Sequence, residues 1–502
     1  MFENQPKGLY ALALANTGER FGYYTMLAVF ALFLRANYGL DPGTSGIIYS
    51  SFLMLVYFFP LIGGFMADKF GFGKMVTTGI IIMFLGYLLL SVPLGGDTPA
   101  LVVMLAALIA IGFGTGLFKG NLQVMVGDLY NDAKYADKRD SGFSIFYMAI
   151  NIGALFAPTA AIRIMEWGQS MGVSVNDSYH FAFAVACASL ILSIAIYYAF
   201  RSTFRHVEGG SKKGADAAVE DDLSPAETKE RFIALALVFG VVAFFWMSFH
   251  QNGLSLTYFA DEFNEQSAEG VKALAFNVWN LVAIIFMVYA SFSLFQSKTG
   301  RGKGIAAIVI LAALAFLAYN YRLSDGSVEV KAPIFQQFNP FYVVALTPVS
   351  LAIFGWLAAR NKEPKAPRKI AYGMIVAAVA FCLMMYASLT LPTPNEQAAL
   401  GEAAPRVSSY WLISTYLILT FGELLLSPMG ISFVSKVAPP KYKGACMGGW
   451  FVSTAIGNFL VSVGGLLWGD LPLWSVWAVF ACLCLLAAAF MFSIMKRLEK
   501  VS

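Results

Sequence analysis

Four charged residues lie inside long apolar stretches of this chain, where an unpaired charge is costly. Glu19 and Arg20 are adjacent in the first stretch, Lys119 lies in the fourth, and Glu423 lies in a stretch nearer the C-terminus. Charged side chains at such depth normally face a cavity or a partner, and they mark the path of a substrate or an ion. Two cations and two anions suit a ligand that itself carries both signs of charge. The alternative for Glu19 and Arg20 is a neutralised pair that only packs helices.

The composition indicates which class of protein must position these residues. Of 502 residues, 58% are hydrophobic and 13% are charged, and the mean hydropathy is +0.67. These values lie outside the range of soluble globular proteins and indicate a polytopic membrane protein. The net charge of +4 is small and the basic residues lie in loops, so no nucleic-acid partner is expected. The five cysteines lack metal-ligand spacing, so they indicate neither a metal site nor a disulfide.

Fourteen apolar segments are long enough to span a bilayer, and they predict an all-α membrane protein. The only long polar connection, residues 204–230, follows six segments and is predicted to be a flexible cytoplasmic linker. It separates a six-helix bundle, 1–203, from a second bundle, 231–502. The predicted spans are 9–34, 45–66, 75–95, 100–125, 142–164, 178–200, 231–259, 271–296, 304–321, 335–358, 370–391, 408–432, 445–469 and 473–495.

Basic residues are concentrated in every second connection between the predicted spans. The connection after the second span contains Lys69 and Lys74, whereas residues 95–99 after the third contain no base. By the positive-inside rule, both termini are expected in the cytoplasm. The N-terminus lacks the pattern of a cleaved signal peptide, so the first span is expected to be retained. Later basic connections contain Lys298, Arg301 and Lys303 after the eighth span, and Arg360, Lys362, Lys365, Arg368 and Lys369 after the tenth.

The loop after the second span combines glycines with charged residues. Residues 63–74 read Gly-Gly-Phe-Met-Ala-Asp-Lys-Phe-Gly-Phe-Gly-Lys. This resembles the Gly-x-x-x-Asp-Arg/Lys-x-Gly-x-Arg/Lys loop of the major facilitator superfamily. The resemblance implies that the small residues let helix ends approach, and that Asp68 caps a neighbouring helix and pairs with a base. The alternative is an ordinary tight basic turn.

A sharper resemblance begins in the first span. Residues 16–24, Asn-Thr-Gly-Glu-Arg-Phe-Gly-Tyr-Tyr, resemble the Glu-x-x-Glu-Arg-Phe-x-Tyr-Tyr motif of the proton-dependent oligopeptide transporters. Five further motifs of that family follow in order, so the resemblance covers almost the whole chain. They are residues 114–121 in the fourth span, 137–153 in the fifth, 245–251 in the seventh, and 337–340 and 423–430 in the second half.

This resemblance implies a function for the whole chain. It implies a major-facilitator fold of six plus six helices that imports di- and tripeptides by proton symport through alternating access. We expect no cofactor other than protons as the coupling ion, and a monomer in the bacterial cytoplasmic membrane. A drug exporter or an amino-acid carrier of the same fold is the alternative. We expect no enzyme activity, because no nucleophile motif or phosphate loop is found in the sequence.

The resemblance also assigns the two ends of a peptide to different residues. Arg20, Tyr24 and Lys119 would meet the carboxylate, and Glu423 would meet the amine. Both charged ends lose water in a binding site, so each needs a fixed counter-charge. Glu423 lies shortly before Ser427 and Pro428, where a predicted helix break would free backbone groups to line a cavity.

Uncharged side chains complete the implied site. Tyr57 would supply a phenol, and Asn151 and Asn339 would help Glu423 to hold the amine. Each has a structural alternative, because amides also hydrogen-bond between helices and tyrosine rings also pack. Trp246 of the seventh-span motif is expected to pack at a gate.

Three departures from the family pattern concern proton coupling. Asn16 replaces the first glutamate of the first-span motif, Leu27 replaces a base, and His250 replaces the seventh-span acid that would pair with that base. Because these charged residues of the family pattern are absent together, none of them is left without its partner. This indicates an extracellular gate with a different arrangement of side chains. Glu19 is then the predicted proton carrier. His250 is the second candidate because histidine titrates near physiological pH, and its alternative is a neutral hydrogen-bonding residue.

The resemblance finally locates an insertion. Segments 271–296 and 304–321 lie between the stretches that resemble the family's seventh and eighth spans. Many bacterial members instead carry an extra helix pair in the connection between halves. We therefore predict an inserted two-helix hairpin at about 271–321 that packs laterally on the second bundle.

Overall fold

Helices dominate the computed structural model, which describes residues 4–209, 223–323 and 326–502. The centre of the predicted linker, 210–222, lies outside the described residues, as do the side chains of Asp137 and Asp140 in the fifth-span motif. The elements are α1 (Lys7–Tyr38), α2 (Pro42–Phe70), α3 (Phe72–Ser91), α4 (Thr98–Asp128), α5 (Arg139–Ser170), α6 (Val175–Ala199), α7 (Pro225–Phe249), α8 (Ser255–Glu262), β1 (Ser267–Glu269), α9 (Gly270–Leu274), α10 (Val278–Gln296), α11 (Gly300–Leu323), β2 (Ser327–Glu329), α12 (Phe338–Ala358), α13 (Ala366–Ala387), α14 (Pro394–Leu400), α15 (Tyr410–Val437), α16 (Lys443–Leu460), α17 (Ser462–Leu466), α18 (Leu473–Ser493) and α19 (Met495–Val501).

Short polar side chains begin several of these helices. The carboxylate of Asp41 accepts a hydrogen bond from the backbone N–H of Thr44, and that of Asp97 accepts one from Ala100, both at 2.9 Å. Such caps satisfy N–H groups that have no partner within the helix. The helix ends predicted from the sequence therefore have a local chemical cause.

Thirteen helical segments of the described chain are long and apolar enough to cross a membrane. Helix α1 is not among them, because Glu19, Arg20 and its other polar residues lower its hydropathy, yet its 32 residues exceed the length needed to span. With α1 the number equals the fourteen predicted spans. The all-α polytopic fold with an inserted hairpin is confirmed.

The predicted seventh span, 231–259, is interrupted. Helix α7 ends at Phe249, a 3-10 turn covers His250–Gly253, and α8 then begins. The Gln251 side chain donates hydrogen bonds to the carbonyls of Met247 and Val461, at 3.1 and 3.0 Å. A side chain that bonds to the preceding turn competes with the helical backbone, which accounts for the interruption. His250 therefore lies at a helix end and not within a continuous helix.

The inserted hairpin is formed by α10 and α11. The first predicted segment began at 271, but α10 begins at Val278, because the Asn277 side chain caps it by accepting from the N–H of Trp279. The two helices are joined by a hydrogen bond of 2.6 Å from Asn320 to Asn280. Strands β1 and β2 pair antiparallel at the base of the hairpin. Helix α10 also packs against α12, so the hairpin lies beside its own bundle as predicted.

Helix α15 differs from its prediction at Pro428. The helix is continuous from Tyr410 to Val437, so the expected break after Glu423 does not occur. Proline removes one backbone donor, and neighbouring groups can compensate for it within a membrane helix.

The chain divides into two compact units. The first contains the chain up to Leu254, Ile431–Leu467 and the tail from Ser493, and the second contains Ser255–Gly430 and Trp468–Phe492. Within the first unit, α16 packs against α2 and α7. These units do not coincide with the boundaries at 203 and 231, which describe order along the chain, and that domain division stays a prediction.

The loop between α2 and α3 turns at Gly71, whose φ of +95° favours glycine. The backbone N–H of Gly73 donates to the carbonyl of Glu208 at 3.0 Å, and Arg201 holds the Glu208 carboxylate at 2.7 Å. Asp68 is exposed and forms neither a hydrogen bond nor an ion pair within the described residues. Among the described residues Asp68 thus caps no helix, and the backbone carbonyl of Glu208 binds at this loop instead.

Helices α2 and α4 approach closely at Gly63. A Cβ atom added at Gly63 would overlap the backbone of Gly116, whereas one added at the neighbouring Gly64 would meet nothing within 4 Å. We expect Gly63→Ala to destabilise the protein by about 1–3 kcal/mol, because overpacking forces the two helices apart. The matched control, Gly64→Ala, should be neutral or should stabilise by up to about 1 kcal/mol through helix propensity. Thermal unfolding of both variants in one detergent checks this, and equal midpoints would contradict the close approach.

Candidate substrate-binding and coupling site

The Glu19–Arg20 pair is the most deeply buried ionic contact of the first unit. The two side chains are 1% and 3% exposed. Arg20 donates from Nε to Glu19 Oε2 at 2.5 Å and from Nη2 to Oε1 at 2.6 Å. This bidentate geometry is the strongest form of an arginine–carboxylate pair. Arg20 is the only hydrogen-bond partner of Glu19 among the described residues, so breaking the pair would leave a buried charge without its counter-ion.

Aromatic rings of the same helix surround the guanidinium. The Arg20 Cζ atom lies 4.3 Å from the ring centroid of Tyr23, which is itself buried. Tyr24 packs edge to face on Tyr23 at 5.1 Å and is half-buried. The ring of Tyr23 therefore helps to hold Arg20 through a cation–π contact. Tyr24, which is predicted to bind substrate, is the next residue in the chain and packs on the ring of Tyr23.

Lys119 on α4 is a cation without a counter-ion. Its Nζ atom lies 4.2 Å above the ring centroid of Tyr57 on α2, and it forms no ion pair with any described residue. The side chain is half-buried. A partly desolvated ammonium gains from a cation–π contact, but a ring neutralises no charge. Lys119 is therefore available to an anionic ligand, and Tyr57 fixes its position.

His250 lies in an aromatic cluster of the first unit. Its ring stacks on Trp246, with centroids 5.4 Å apart, and lies 6.5 Å from the ring of Tyr57. The Nδ1 atom of His250 and the Nε1 atom of Trp246 are buried without a hydrogen-bond partner in the described chain. The structure thus brings the predicted residues Tyr57, Trp246 and His250 together, as a packed cluster with unsatisfied polar atoms.

Asn458 on α16 belongs to the same group of unsatisfied atoms, and the sequence analysis missed it. It is completely buried, and its Oδ1 atom has no partner among the described residues. Its Nδ2 atom donates a long hydrogen bond of 3.5 Å to the carbonyl of Leu53 on α2. Buried amides usually have hydrogen-bond partners for their polar atoms, so Asn458 is a candidate site residue. The available signal was a lone amide within the apolar segment 445–469.

Three other predicted residues lie away from these contacts. Asn151 on α5 donates to the carbonyl of Tyr147 in its own helix at 3.0 Å and makes no hydrogen bond to Arg20 or Lys119. This bond lies within α5 and is not the interhelical bond of its structural alternative, so the role of Asn151 stays a prediction. Asn16 and Leu27 are both buried in α1, at 3% and 9% exposure. Leu27 is thus part of the apolar core.

The second unit contains one half-buried carboxylate of interest, Glu423 on α15. The Nδ2 group of Asn339 on α12 donates one hydrogen bond to Glu423 Oε2 at 2.9 Å and one to Thr420 Oγ1 at 3.0 Å. No lysine, arginine or histidine of the described chain pairs with Glu423. The structure therefore joins two of the predicted residues, Asn339 and Glu423, and leaves the carboxylate available to a cationic ligand.

These clusters can bind charge but hold no machinery for covalent chemistry. The described residues contain no group of three or more His, Cys, Asp or Glu side chains that could hold a metal ion. Among the described residues, the first unit contains a cation without a counter-ion and the second an anion without one, each on a membrane-spanning helix. A polytopic helical protein with such sites is a membrane transporter.

Comparisons with known proteins identify the family. A sequence model of the POT family matches residues 73–220 and 312–465. The chain is 30% identical to the uncharacterized transporter YclF of Bacillus subtilis, over 90% of this chain and 86% of YclF. It is 28% identical to dipeptide and tripeptide permease A of Klebsiella pneumoniae, over 90% of this chain and 82% of the permease.

A solved structure shares the fold. The crystal structure of the peptide transporter POT in complex with sulfate has a TM-score of 0.73 at 23% identity and covers 100% of this chain and 96% of its own. The chain belongs to the POT family. It is a secondary active peptide transporter of the membrane and not an enzyme, as the sequence predicted.

The contact between Lys119 and Tyr57 yields a prediction. Tyr57→Phe keeps the ring under the ammonium, whereas Tyr57→Leu removes it and with it a contact of about 0.5–2 kcal/mol. We expect the phenylalanine variant to keep most of its affinity for a dipeptide, and the leucine variant to bind several-fold more weakly. Isothermal titration of both variants with one dipeptide checks this. Equal loss in both would assign the role to the hydroxyl group.

Proposed function

We propose that the protein imports di- and tripeptides by proton symport, and that Lys119 and Glu423 neutralise the two charged ends of the peptide. The observation that carries this proposal is that each of these residues is half-buried and has no counter-ion among the described residues. Charges are seldom left so in a membrane protein unless a ligand completes them. A peptide with free termini supplies both missing charges at once.

The carboxylate end would be held by Lys119, with Arg20 as the second cation. Arg20 is occupied by Glu19 in this structure, so it becomes available only when that pair opens. Tyr57 holds the lysine ammonium in place, and Tyr24 lies beside the arginine cluster. Lys119 would thus always be available to the peptide carboxylate, whereas Arg20 would be available only when its pair with Glu19 is open.

The amine end would be held by Glu423, with Asn339 orienting it. The Asn339 amide binds one carboxylate oxygen and leaves the other for an ammonium group. Because Thr420 also accepts from Asn339, the amide is fixed from two sides. Asn151, which bonds within its own helix, would join only after a change of side-chain rotamer.

Coupling would proceed through Glu19. Protonation removes the negative charge that makes the bidentate pair and releases Arg20 for the incoming carboxylate. Deprotonation after the proton leaves restores the pair and helps to expel the peptide. No cofactor other than protons is required. His250, with an unpartnered buried nitrogen and no base at Leu27, is the second candidate for the proton site.

The basic connections support a cytoplasmic position for both termini. Several lysines or arginines lie in the α2–α3, α10–α11 and α12–α13 connections or in the helix ends that flank them. We infer that the protein lies in the bacterial cytoplasmic membrane in this orientation. A monomer stays a prediction, which light scattering of the purified protein would test.

Lys119→Ala tests the carboxylate assignment. We expect it to abolish uptake of a dipeptide into proteoliposomes with an imposed pH gradient, because the substrate carboxylate would be buried without its permanent counter-charge. The thermal midpoint should change little, because Lys119 forms no ion pair in the described chain. Lys134→Ala, at an exposed position between α4 and α5, serves as the matched control and should transport normally. Normal uptake by Lys119→Ala would remove the residue from the site.

Glu423→Gln tests the amine assignment. It keeps the shape of the side chain and loses the charge, so it should weaken the binding of a free dipeptide by about 2–5 kcal/mol. An N-acetylated dipeptide, which carries no ammonium, should lose much less. Affinities of both ligands for both proteins are measured by thermal shift, and equal losses would show that the amine binds elsewhere.

The coupling assignment is tested by comparing two variants. Glu19→Gln mimics the protonated acid permanently, so it should retain pH-independent counterflow and lose uphill uptake driven by a proton gradient. His250→Ala should only shift the pH optimum of uptake. If Glu19→Gln still accumulates peptide against its gradient and His250→Ala does not, the proton site is His250, and Glu19 serves binding alone.

A further inference from the structure

A groove of about 670 Å³ lies between α10 of the inserted hairpin and α12 of the second unit. Its α10 wall contains Ser293, Gln296 and Ser297, and its α12 wall contains Leu351 and Ala352. The α10 wall thus combines hydroxyl and amide groups with the ring of Phe292, and the α12 wall is apolar. It contains none of the residues assigned above to peptide or proton binding.

A proline explains why the two helices leave this space. Pro348 on α12 has no N–H group, so the carbonyl of Val344, four residues earlier, lacks its helical donor. The hydroxyl of Tyr289 on α10 donates to that carbonyl at 3.0 Å and fixes the two helices to each other at this level. One turn further along, the facing residues Ser293 and Ala352 are too small to fill the interhelical space.

Unpaired positive charge lies at the polar end of the groove. Lys298 follows Ser297 in the α10–α11 connection, and Arg301 and Lys303 lie in the first turn of α11; all three are exposed, and no acid lies among them. None of the three forms an ion pair within the described residues. The connection after α12 adds further bases, and its only acid, Glu363, is already paired with Lys369 at 2.5 Å.

We propose that this groove binds one anionic phospholipid. Both walls belong to membrane-spanning helices, and Phe295 and Leu351 beside the groove are 86% and 68% exposed, as expected of a surface that faces acyl chains. An acyl chain would lie along the apolar wall, and the phosphate would meet Lys298, Arg301 and Lys303. Basic residues next to spans attract anionic headgroups in this way. The hairpin would then serve as a lipid-binding element as well as a lateral support.

Charge argues against the other occupants of such a groove. A zwitterionic lipid would leave the three bases without a net counter-charge, and a free phosphate would leave the apolar wall exposed to water. The proposal rests on membrane location and on the charges at one end of α10. It does not depend on which residues bind peptide, so its failure would leave the proposed function unaffected.

The first experiment measures headgroup selectivity. The purified protein in detergent is heated with phosphatidylglycerol, with phosphatidylcholine of the same chains, or with inorganic phosphate. We expect phosphatidylglycerol to raise the melting temperature most, and phosphate alone to have no effect. Equal stabilisation by both lipids would overturn the proposal, and equal stabilisation by phosphate would replace the lipid with a free anion.

The second experiment removes the site in two ways. The combined variant Lys298→Gln, Arg301→Gln and Lys303→Gln should lower the apparent affinity for phosphatidylglycerol on the order of tenfold, because each base near a membrane surface adds to the attraction. Arg322→Gln, at the opposite end of α11, is the matched control and should keep the wild-type affinity. An unchanged affinity in the combined variant would overturn the proposal.

Filling the groove tests its shape separately from its charge. Ala352→Phe places a ring in the space opposite Ser293 and should reduce binding of phosphatidylglycerol while all three bases remain. Leu311→Phe, on the exposed face of α11, is its control. Native mass spectrometry counts bound lipids in each variant, and midpoints without lipid verify that each has folded. Wild-type occupancy in Ala352→Phe would show that the lipid binds outside the groove.

Discussion

The cost of an unpaired charge in a membrane interior is the constraint on which this structure depends. The protein meets it in two ways. Glu19 and Arg20 neutralise each other in a bidentate contact, so α1 can carry both into its core. Within the described residues, Lys119 and Glu423 have no such partner, and each contacts a neutral neighbour instead. The first arrangement neutralises its own charge, whereas the second leaves two half-buried charges unneutralised.

Close helix packing gives these charges their positions. Helices α2 and α4 come together at Gly63 and Gly116, one turn of α4 before Lys119. Because the backbones approach so closely there, the ring of Tyr57 on α2 reaches the ammonium of Lys119 on α4. Glycines with no side-chain chemistry of their own therefore help to determine where the Lys119 ammonium lies. A site built on rigid helices in this manner is more precise than one built on loops.

The interruption after α7 is the other organising feature. The turn at His250 places its ring against Trp246, and the Asn458 side chain of α16 lies close enough to interact with His250. Four buried polar atoms near this break, on Trp246, Ser248, His250 and Asn458, have no well-formed hydrogen bond within the described chain. Elsewhere in the first unit, buried hydroxyl and amide groups mostly bond to helix carbonyls, as Thr115 does. Other such atoms in the described part of the first unit, on Ser45, Tyr87, Thr159 and His180, are scattered over four helices, whereas those at the break lie on neighbouring segments.

The sequence by itself determined the class of protein, the fourteen spans, the insertion and the family, because hydropathy and ordered motifs are written along the chain. It could not determine which charges pair, since that depends on the distances between side chains. Adjacent Glu19 and Arg20 were candidates for a pair, but only the structure separated them from the unpaired Lys119 and Glu423. Tertiary contacts likewise decided that Gln251 interrupts α7, that α15 continues through Pro428 and that Glu208 replaces Asp68 at the α2–α3 loop. Each of these outcomes depends on a hydrogen-bond partner far away in the sequence, or on neighbouring groups that compensate for a lost backbone bond. Such partners and neighbours are not visible in a local sequence pattern.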